Sequence, residues 1–118
     1  MYTVEFIELD NNAPFLKFIE SLPQNEIAKV FAAIDKFIML KNSNLAVKEN
    51  LSKHLDDGIF EIRVSLPNKI VRNLYYYLSG QRVVITHAFV KKSQKTPNSE
   101  INKAKALRKK YNERNFYD

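Results

Sequence analysis

The middle of the chain alternates apolar and polar residues, a pattern that predicts β-strands. The alternation is strictest over residues 59–66, where Glu61, Arg63 and Ser65 lie on the face opposite to the apolar side chains. Residues 51–55 fit either a short edge strand or a loop. Strands are predicted at residues 2–8, 59–66, 70–78 and 82–92.

Apolar residues recur at helical spacing before and after this region. Pro14 opens a first helix and Pro23 separates it from a second, so we expect an αα-hairpin. A last helix is predicted to begin after Thr96 and Pro97. Its narrow apolar seam consists of Ile101, Ala104, Leu107 and Tyr111. The predicted order is β-α-α-β-β-β-α, an α+β fold with a curved antiparallel sheet packed on helices.

The composition indicates a single domain over residues 1–118. The chain has no cysteine, which excludes disulfides and thiolate metal sites, and its two histidines are too few for a zinc cluster. Its start, MYTVEFIELD, lacks the basic and apolar segments of a signal peptide. No apolar run approaches the ~20 residues of a membrane span. We therefore expect a cytoplasmic protein that needs no metal, cofactor or membrane.

The net charge of +6 is concentrated in the last third of the chain. Residues 1–81 carry nine Lys and Arg against ten Asp and Glu, whereas residues 82–118 carry ten against three. Such asymmetry favours a polyanionic partner, of which nucleic acid is the commonest. A solvated basic helix or a surface that binds a protein partner would give the same charge distribution.

Two turn signals predict which residues of the central strands lie opposite one another. A two-residue turn at Pro67 places Arg63 opposite Arg72, and a two-residue turn at Gly80 places Arg72 opposite His87. A slip of one residue would exchange the faces. One face would then carry Glu61, Arg63, Arg72, His87 and Lys91. The face toward the helices would carry Phe60, Ile62, Val64, Val71, Tyr75, Val84 and Val90.

Two arginines directly opposite each other destabilise a sheet unless an anion lies beside them. Glu61 can supply that anion in the free protein, and a phosphate group can supply it in a complex. Such a face has the groups that metal-independent RNA cleavage requires: a base for the 2′-hydroxyl proton, cations for the phosphorane charge and an acid for the leaving oxygen. Glu61 and His87 are candidates for moving protons. Further cations follow the last strand at Lys91, Lys92 and Lys95.

Each candidate also has a structural interpretation. Glu61 with either arginine fits a structural ion pair, and His87 lies in an apolar strand where a packed, hydrogen-bonded histidine is common. His54 reaches the same cleft only if its segment turns that way. Tyr76 either stacks on a base or packs in the core. The basic face of the last helix, which is either solvated or bound to phosphates, consists of Lys103, Lys105, Arg108, Lys109 and Lys110.

Two segments that contain these residues resemble a known protein family. They read HLDDGIFEIRVSL and IVRNLYYYLSGQRVVITHAFVKKSQKTPNSEINKAKA. Their motifs, in the same order, are similar to those of the phage-derived Gp49/HigB branch of the RelE/ParE toxin superfamily. The similarity is close over residues 51–111, and the remainder fits by length and element order. Asn73 departs from the pattern, which has an apolar residue there.

The resemblance implies a RelE-like, microbial RNase-like fold and the toxin of a type II toxin–antitoxin pair. Such toxins enter the ribosomal A site and cut mRNA there. A HigA-like antitoxin with a helix-turn-helix domain neutralises them, and operator DNA is met only through that antitoxin. By position, the residues expected to be catalytic are Arg63, Arg72, Lys91 and Lys92, with Glu61 and His87. Contacts to RNA are expected from Lys53, Lys95, Tyr76, Arg108 and Lys109.

Two other functions remain open at this point. A gyrase-directed toxin of the ParE type has the same fold but does not cleave RNA, and it does not need the cluster of Glu61, Arg63 and Arg72. A non-catalytic protein that binds nucleic acid or an antitoxin would suit the charge, although not the spacing of the motifs. We therefore expect a ribosome-dependent mRNA endoribonuclease.

Overall fold

The alternating middle of the chain forms a continuous antiparallel meander, as its pattern predicts. The computed structural model describes residues 1–91 and 95–115. The strands are β1 (Thr3–Phe6), β2 (Ser52–Asp56), β3 (Ile59–Leu66), β4 (Lys69–Leu78) and β5 (Arg82–Val90). The helices are α1 (Pro14–Ile19), α2 (Gln24–Asn42) and α3 (Asn98–Asn115).

The five strands form one mixed sheet in the order β1-β5-β4-β3-β2. The segment that fitted either a strand or a loop is an edge strand, β2, so the predicted order of elements lacked one strand. The antiparallel sheet that was predicted forms from β2 to β5, and β1 adds to it in parallel beside β5, which makes the sheet mixed. The αα-hairpin and the meander between these two strands provide the long connection that parallel pairing requires. The fold is α+β, compatible with a RelE-like fold.

The register of β3 and β4 is the predicted one, with Arg63 opposite Arg72. The register of β4 and β5 differs, since Arg72 lies opposite Phe89 and His87 lies opposite Leu74. The prediction that Arg72 faces His87 was therefore wrong. Two insertions explain the difference: the loop between the strands has three residues, and a bulge at Thr86 adds one more to β5.

Residues of β5 after the bulge are shifted by two positions from the predicted register, so His87 keeps its predicted face. Residues of β5 before the bulge are shifted by one position, so they lie on the opposite face from the one predicted. A shift of one residue exchanges the faces of a strand, and a shift of two restores them. His87 therefore lies on the same face as Leu74 and Arg72, as predicted. Val84, which precedes the bulge, packs on the α3 side of the sheet instead of the predicted α1–α2 side.

Each face of the sheet has its own apolar core. Beneath α1 and α2 the rings of Phe37 and Tyr75 lie with centroids 5.1 Å apart, and Ile34 packs in the same cluster. Of the residues predicted for this face, Phe60, Ile62, Val64, Val71 and Tyr75 belong to this core. The second core, under α3, includes Leu74, Tyr76, Val84, Ile101, Ala104 and Tyr111.

Helix α3 is attached to the sheet by its apolar seam and by ion pairs with acidic residues of other elements. Lys105 contacts Asp56 at 2.6 Å, and Arg108 contacts Asp57 at 3.0 Å. Arg114 makes two hydrogen bonds to Asp10, of 2.8 and 3.0 Å. Part of the basic face of this helix is thus neutralised within the molecule. Over residues 1–91 and 95–115, no helix has the length and apolarity to cross a membrane.

Ile34→Ala should lower the free energy of unfolding by about 2–5 kcal/mol, because Ile34 is 1% exposed and its truncation leaves a cavity. Met39→Ala on the same helix is the matched control: Met39 is 51% exposed, so we expect a change within about 0.5 kcal/mol. Urea denaturation of both variants measures the difference. Equal losses in the two variants would contradict the position of α2 on the sheet.

Candidate functional site

A carboxylate, a guanidinium and a hydroxyl form a closed hydrogen-bonded cluster under the start of α3. Arg72 donates from Nη1 to Glu61 Oε1 at 3.2 Å and to Thr96 Oγ1 at 3.1 Å. Thr96 donates in turn to Glu61 Oε1 at 2.7 Å. The other oxygen of Glu61 lies 3.7 Å from Nε of Arg63. Glu61 therefore supplies the negative charge that the opposed arginines were predicted to need.

The cluster is almost entirely removed from solvent. The side chains of Glu61 and Arg72 are 0% exposed, whereas that of Arg63 is 16% exposed. The sequence suggested an open sheet face for these residues, but α3 and the segment that leads into it cover this face. Glu and Arg are rarely buried to this degree unless they are paired. In this conformation, Arg63 is the member of the pair of arginines that reaches the surface.

A cleft of about 560 Å³ lies beside the cluster, between β2 and the start of α3. Lys53 enters it from β2, where it is the cross-strand neighbour of Glu61. Lys95 and Thr96 form the opposite wall, so two residues predicted to contact RNA meet here. Thr96 connects the cleft to the buried ion pair because its hydroxyl bonds both partners. His54 also lines the cleft, as the alternative placement of its segment allowed.

His87 lies elsewhere and is held in a packed environment. Its Nε2 is 2.9 Å from Glu100 Oε1, and its Nδ1 is 3.1 Å from Thr86 Oγ1. Burial lowers the pKa of His87, and this effect outweighs the opposing hydrogen bond to Glu100. His87 lines a separate cavity of about 430 Å³ together with Lys17 and Lys103. The sequence allowed His87 to be either a group that moves protons or a packed, hydrogen-bonded histidine. Its geometry in the structure is that of the packed, hydrogen-bonded histidine.

The remaining candidates differ in how they meet solvent. Lys91 is exposed just beyond β5, while Lys92 lies outside the described residues. Tyr76 is buried and donates its hydroxyl to Asn112 Oδ1 at 2.7 Å. Burial raises the pKa of Tyr76, so its hydroxyl stays protonated. Lys109 is exposed on α3, near Arg108, whose charge is engaged by Asp57.

The sequence did not indicate the role of Thr96. It was interpreted as a helix cap, yet its hydroxyl points to Glu61 and Arg72 across a separation of 24 residues or more. A general rule states that a buried carboxylate accepts hydrogen bonds, so a donor for Glu61 could be expected. That rule does not say which part of the chain supplies the donor.

Comparison with known families gives a match over most of the chain. Residues 17–109 match the family described as phage-derived protein Gp49-like (DUF891). This stretch includes the whole Glu61–Arg72–Thr96 cluster and the cleft beside it. No curated protein matches the chain at a significant level.

Thr96→Val should lower the free energy of unfolding by about 1–3 kcal/mol, because it leaves buried charged groups short of a hydrogen-bond partner while keeping the side chain's shape. Thr96→Ser keeps the hydroxyl and should restore most of this loss. Thr3→Val, on an exposed position of β1, is the control for the same substitution. Urea denaturation of the three variants tests the cluster, and a Thr96→Val protein as stable as wild type would contradict it.

The stability of the protein should fall as the pH drops below about 6.5, the ordinary pKa of histidine in an unfolded chain. The folded-state pKa of His87 is lower, so the unfolded chain binds its proton first and is favoured as the pH falls. His87→Gln should remove this part of the pH dependence, while His54 remains in both proteins. Urea denaturation between pH 7.5 and 5.5 measures the free energy of unfolding of both proteins. If it changes equally with pH in the two, the pKa of His87 is not lowered by folding and the prediction is wrong.

Proposed function

The chain belongs to the Gp49-like family of phage-derived proteins, which is of the RelE/HigB toxin type, and from this premise we propose that it is a ribosome-dependent mRNA endoribonuclease. The family is associated with toxins of toxin–antitoxin systems, so an antitoxin is the implied partner. The observation that supports RNA cleavage is the cleft between Lys53 and Lys95, which is backed by the Glu61–Arg72–Thr96 cluster.

In the proposed complex, the scissile phosphate binds in this cleft. The side chains of Lys53 and Lys95 approach it from the two walls of the cleft. Arg63, on β3 and 16% exposed beside Glu61, does not line the cleft in the free protein and is proposed to turn toward the phosphate when RNA binds. The 2′-oxygen attacks phosphorus and the bond to the 5′-oxygen breaks, which leaves a 2′,3′-cyclic phosphate and a 5′-hydroxyl. Fixed cations stabilise the additional negative charge of the phosphorane more than that of the substrate, and this difference lowers the barrier.

Two proton transfers accompany this displacement: one from the 2′-hydroxyl and one to the leaving 5′-oxygen. Glu61 and His87 are buried and hydrogen-bonded, so in this conformation they hold other groups in place. His54 is exposed on the edge strand and lines the cleft, although its ring lies edge-on to Phe60 and its Nε2 accepts a hydrogen bond from the Gly58 N–H at 3.2 Å. Rotation of this side chain toward the cleft would bring an imidazole, which can take up and release a proton, to the 2′-hydroxyl. We assign His54 the proton transfer at the 2′-oxygen, and Lys53 or Lys95 that at the leaving oxygen.

The partners follow from the same proposal. The ribosomal A site presents the mRNA, and the exposed Lys109 together with Lys91 beside β5 meets ribosomal RNA phosphates. Ribosomal RNA completes the positioning of the substrate, so cleavage without ribosomes is slow. A HigA-like helix-turn-helix antitoxin neutralises the toxin and links it to operator DNA.

A second candidate function is a gyrase-directed toxin of the ParE type. The observation that favours it is the complete burial of Arg72 and Glu61. A fully buried ion pair does not touch a substrate, so it fits a structural role in a toxin that does not cut RNA. The two lysines that line the adjacent cleft, half-buried Lys53 and exposed Lys95, favour the ribonuclease.

Arg63→Ala and Lys53→Ala should each reduce ribosome-dependent cleavage by at least about a hundredfold, because each removes a cation from the phosphorane. Lys36→Ala, which removes an exposed charge from α2, is the matched control and should cut normally. Primer extension on one mRNA, with and without translating ribosomes, measures the rates. Arg72→Ala is a poorer test, since it leaves Glu61 buried beside one arginine and costs about 3–5 kcal/mol of stability.

Each contrary outcome has its own meaning. Growth arrest without any cleavage by the wild-type protein would favour the gyrase-directed toxin. Cleavage that survives in both Arg63→Ala and Lys53→Ala would place the active site outside this cleft.

A further inference from the structure

A second cavity, of about 280 Å³, lies on the other side of strand β2, between the sheet and α2. Its walls are aromatic. The rings of Phe60 and Tyr75 are stacked with centroids 5.3 Å apart, and Tyr77 stands edge-on to both, at 5.3 Å from Phe60 and 5.7 Å from Tyr75. Phe60 and Tyr77 are half-buried and line the cavity, where His54 stands edge-on to Phe60 at 5.0 Å and Lys41 Nζ lies 5.5 Å from the centroid of the Tyr77 ring. A base that stacks here would displace one of these movable, part-exposed neighbours.

The cavity also carries polar groups at its floor and its rim. At the floor, the hydroxyls of Ser52 and Tyr75 are hydrogen-bonded to each other at 2.6 Å. Burial raises the pKa of Tyr75, so this hydroxyl remains a neutral donor and acceptor. The charged residues of the lining are Lys41, Lys53 and Glu49, two cations against one anion.

This cavity is continuous with the proposed cleavage site through two adjacent residues. Lys53 and His54 line both cavities, because they lie on the strand that separates them. Successive side chains of a strand point to opposite faces, so Lys53 shares the face of Glu61 and the His54 ring lies against Phe60. Strand β2 is the edge of the sheet, and no further strand covers it among residues 1–91 and 95–115. A single-stranded chain that crosses this edge therefore meets Lys53 on one side and the aromatic rings on the other.

We propose that the aromatic cavity binds an unpaired nucleobase of the RNA next to the cleaved bond, and that it contributes to the toxin's base preference. This inference rests on the proposed function. Accessible ring faces bind bases by stacking, the hydroxyl pair offers hydrogen bonds to a base edge, and the lysines of the rim attract the adjoining phosphates. A cavity meant only for an apolar peptide side chain would require neither the hydroxyl pair nor the net positive rim.

The test uses a single-stranded oligonucleotide that carries one 2-aminopurine and 2′-O-methyl riboses, which block cleavage. Stacking in the cavity quenches the fluorescence of 2-aminopurine. Phe60→Leu and Tyr77→Leu remove a ring but keep an apolar side chain, and each should abolish the quenching and weaken binding about tenfold. Phe18→Leu, a half-buried ring of α1 outside this cavity, is the matched control. Thermal unfolding by circular dichroism verifies that all variants are folded.

Quenching that is lost in the two cavity variants and kept in Phe18→Leu supports the inference. Quenching that is equal in all proteins, or absent in the wild type, overturns it. Cavity variants that keep RNA binding and lose binding to the antitoxin would assign the cavity to the antitoxin, and this outcome also overturns the inference. Primer extension with ribosomes separates the two proposals: cleavage by a wild-type protein that does not quench leaves the function standing without this base site.

Discussion

The arrangement of residues on the α3 side of the sheet depends on the buried carboxylate of Glu61. A buried carboxylate costs several kcal/mol unless permanent positive charge and hydrogen-bond donors surround it. Here Arg63 and Arg72 supply the charge and Thr96 supplies a hydroxyl, so β3, β4 and the segment before α3 are held to one point. The opposed arginines, unfavourable by themselves, become compatible because they share this anion. The position of the candidate cleft follows, since Thr96 forms part of its wall.

Helix α3 covers the sheet through contacts of unequal strength. Its ion pairs with Asp10, Asp56 and Asp57 are exposed to solvent, and water and salt screen such pairs so that they contribute little to stability. Near its end, Tyr111 donates to Glu5, which also accepts two hydrogen bonds from Arg82. The apolar seam and the buried hydroxyl of Thr96 therefore determine where the helix lies. The surface pairs neutralise much of its charge and leave cations such as Lys109 facing outward.

The sequence predicted local features well and long-range ones poorly. The opposition of Arg63 and Arg72 followed from one turn that contains proline, because the strands on either side are directly joined. The bulge at Thr86 has no local sequence signal, and together with the three-residue loop it moved His87 away from Arg72. The parallel pairing of β1 and the covering of the cluster by α3 depend on residues far apart in the chain. Of the candidate site, the charged residue types were predictable, but their burial and the role of Thr96 were not.

The parallel pairing of β1 with β5 has a consequence for synthesis of the chain. Thr3 pairs with Arg82, so the first strand made is without its sheet partner until the last strand has left the ribosomal tunnel. The pairing of β1 with β5 forms late in folding, because the chain loses the conformational entropy of the long intervening segment before the contact is made. Strand β5 lies between β1 and β4, and the segment that follows it supplies Thr96. A nascent chain therefore assembles the cluster only after Thr96 has left the ribosomal tunnel, and a translation product truncated before Thr96 lacks it altogether.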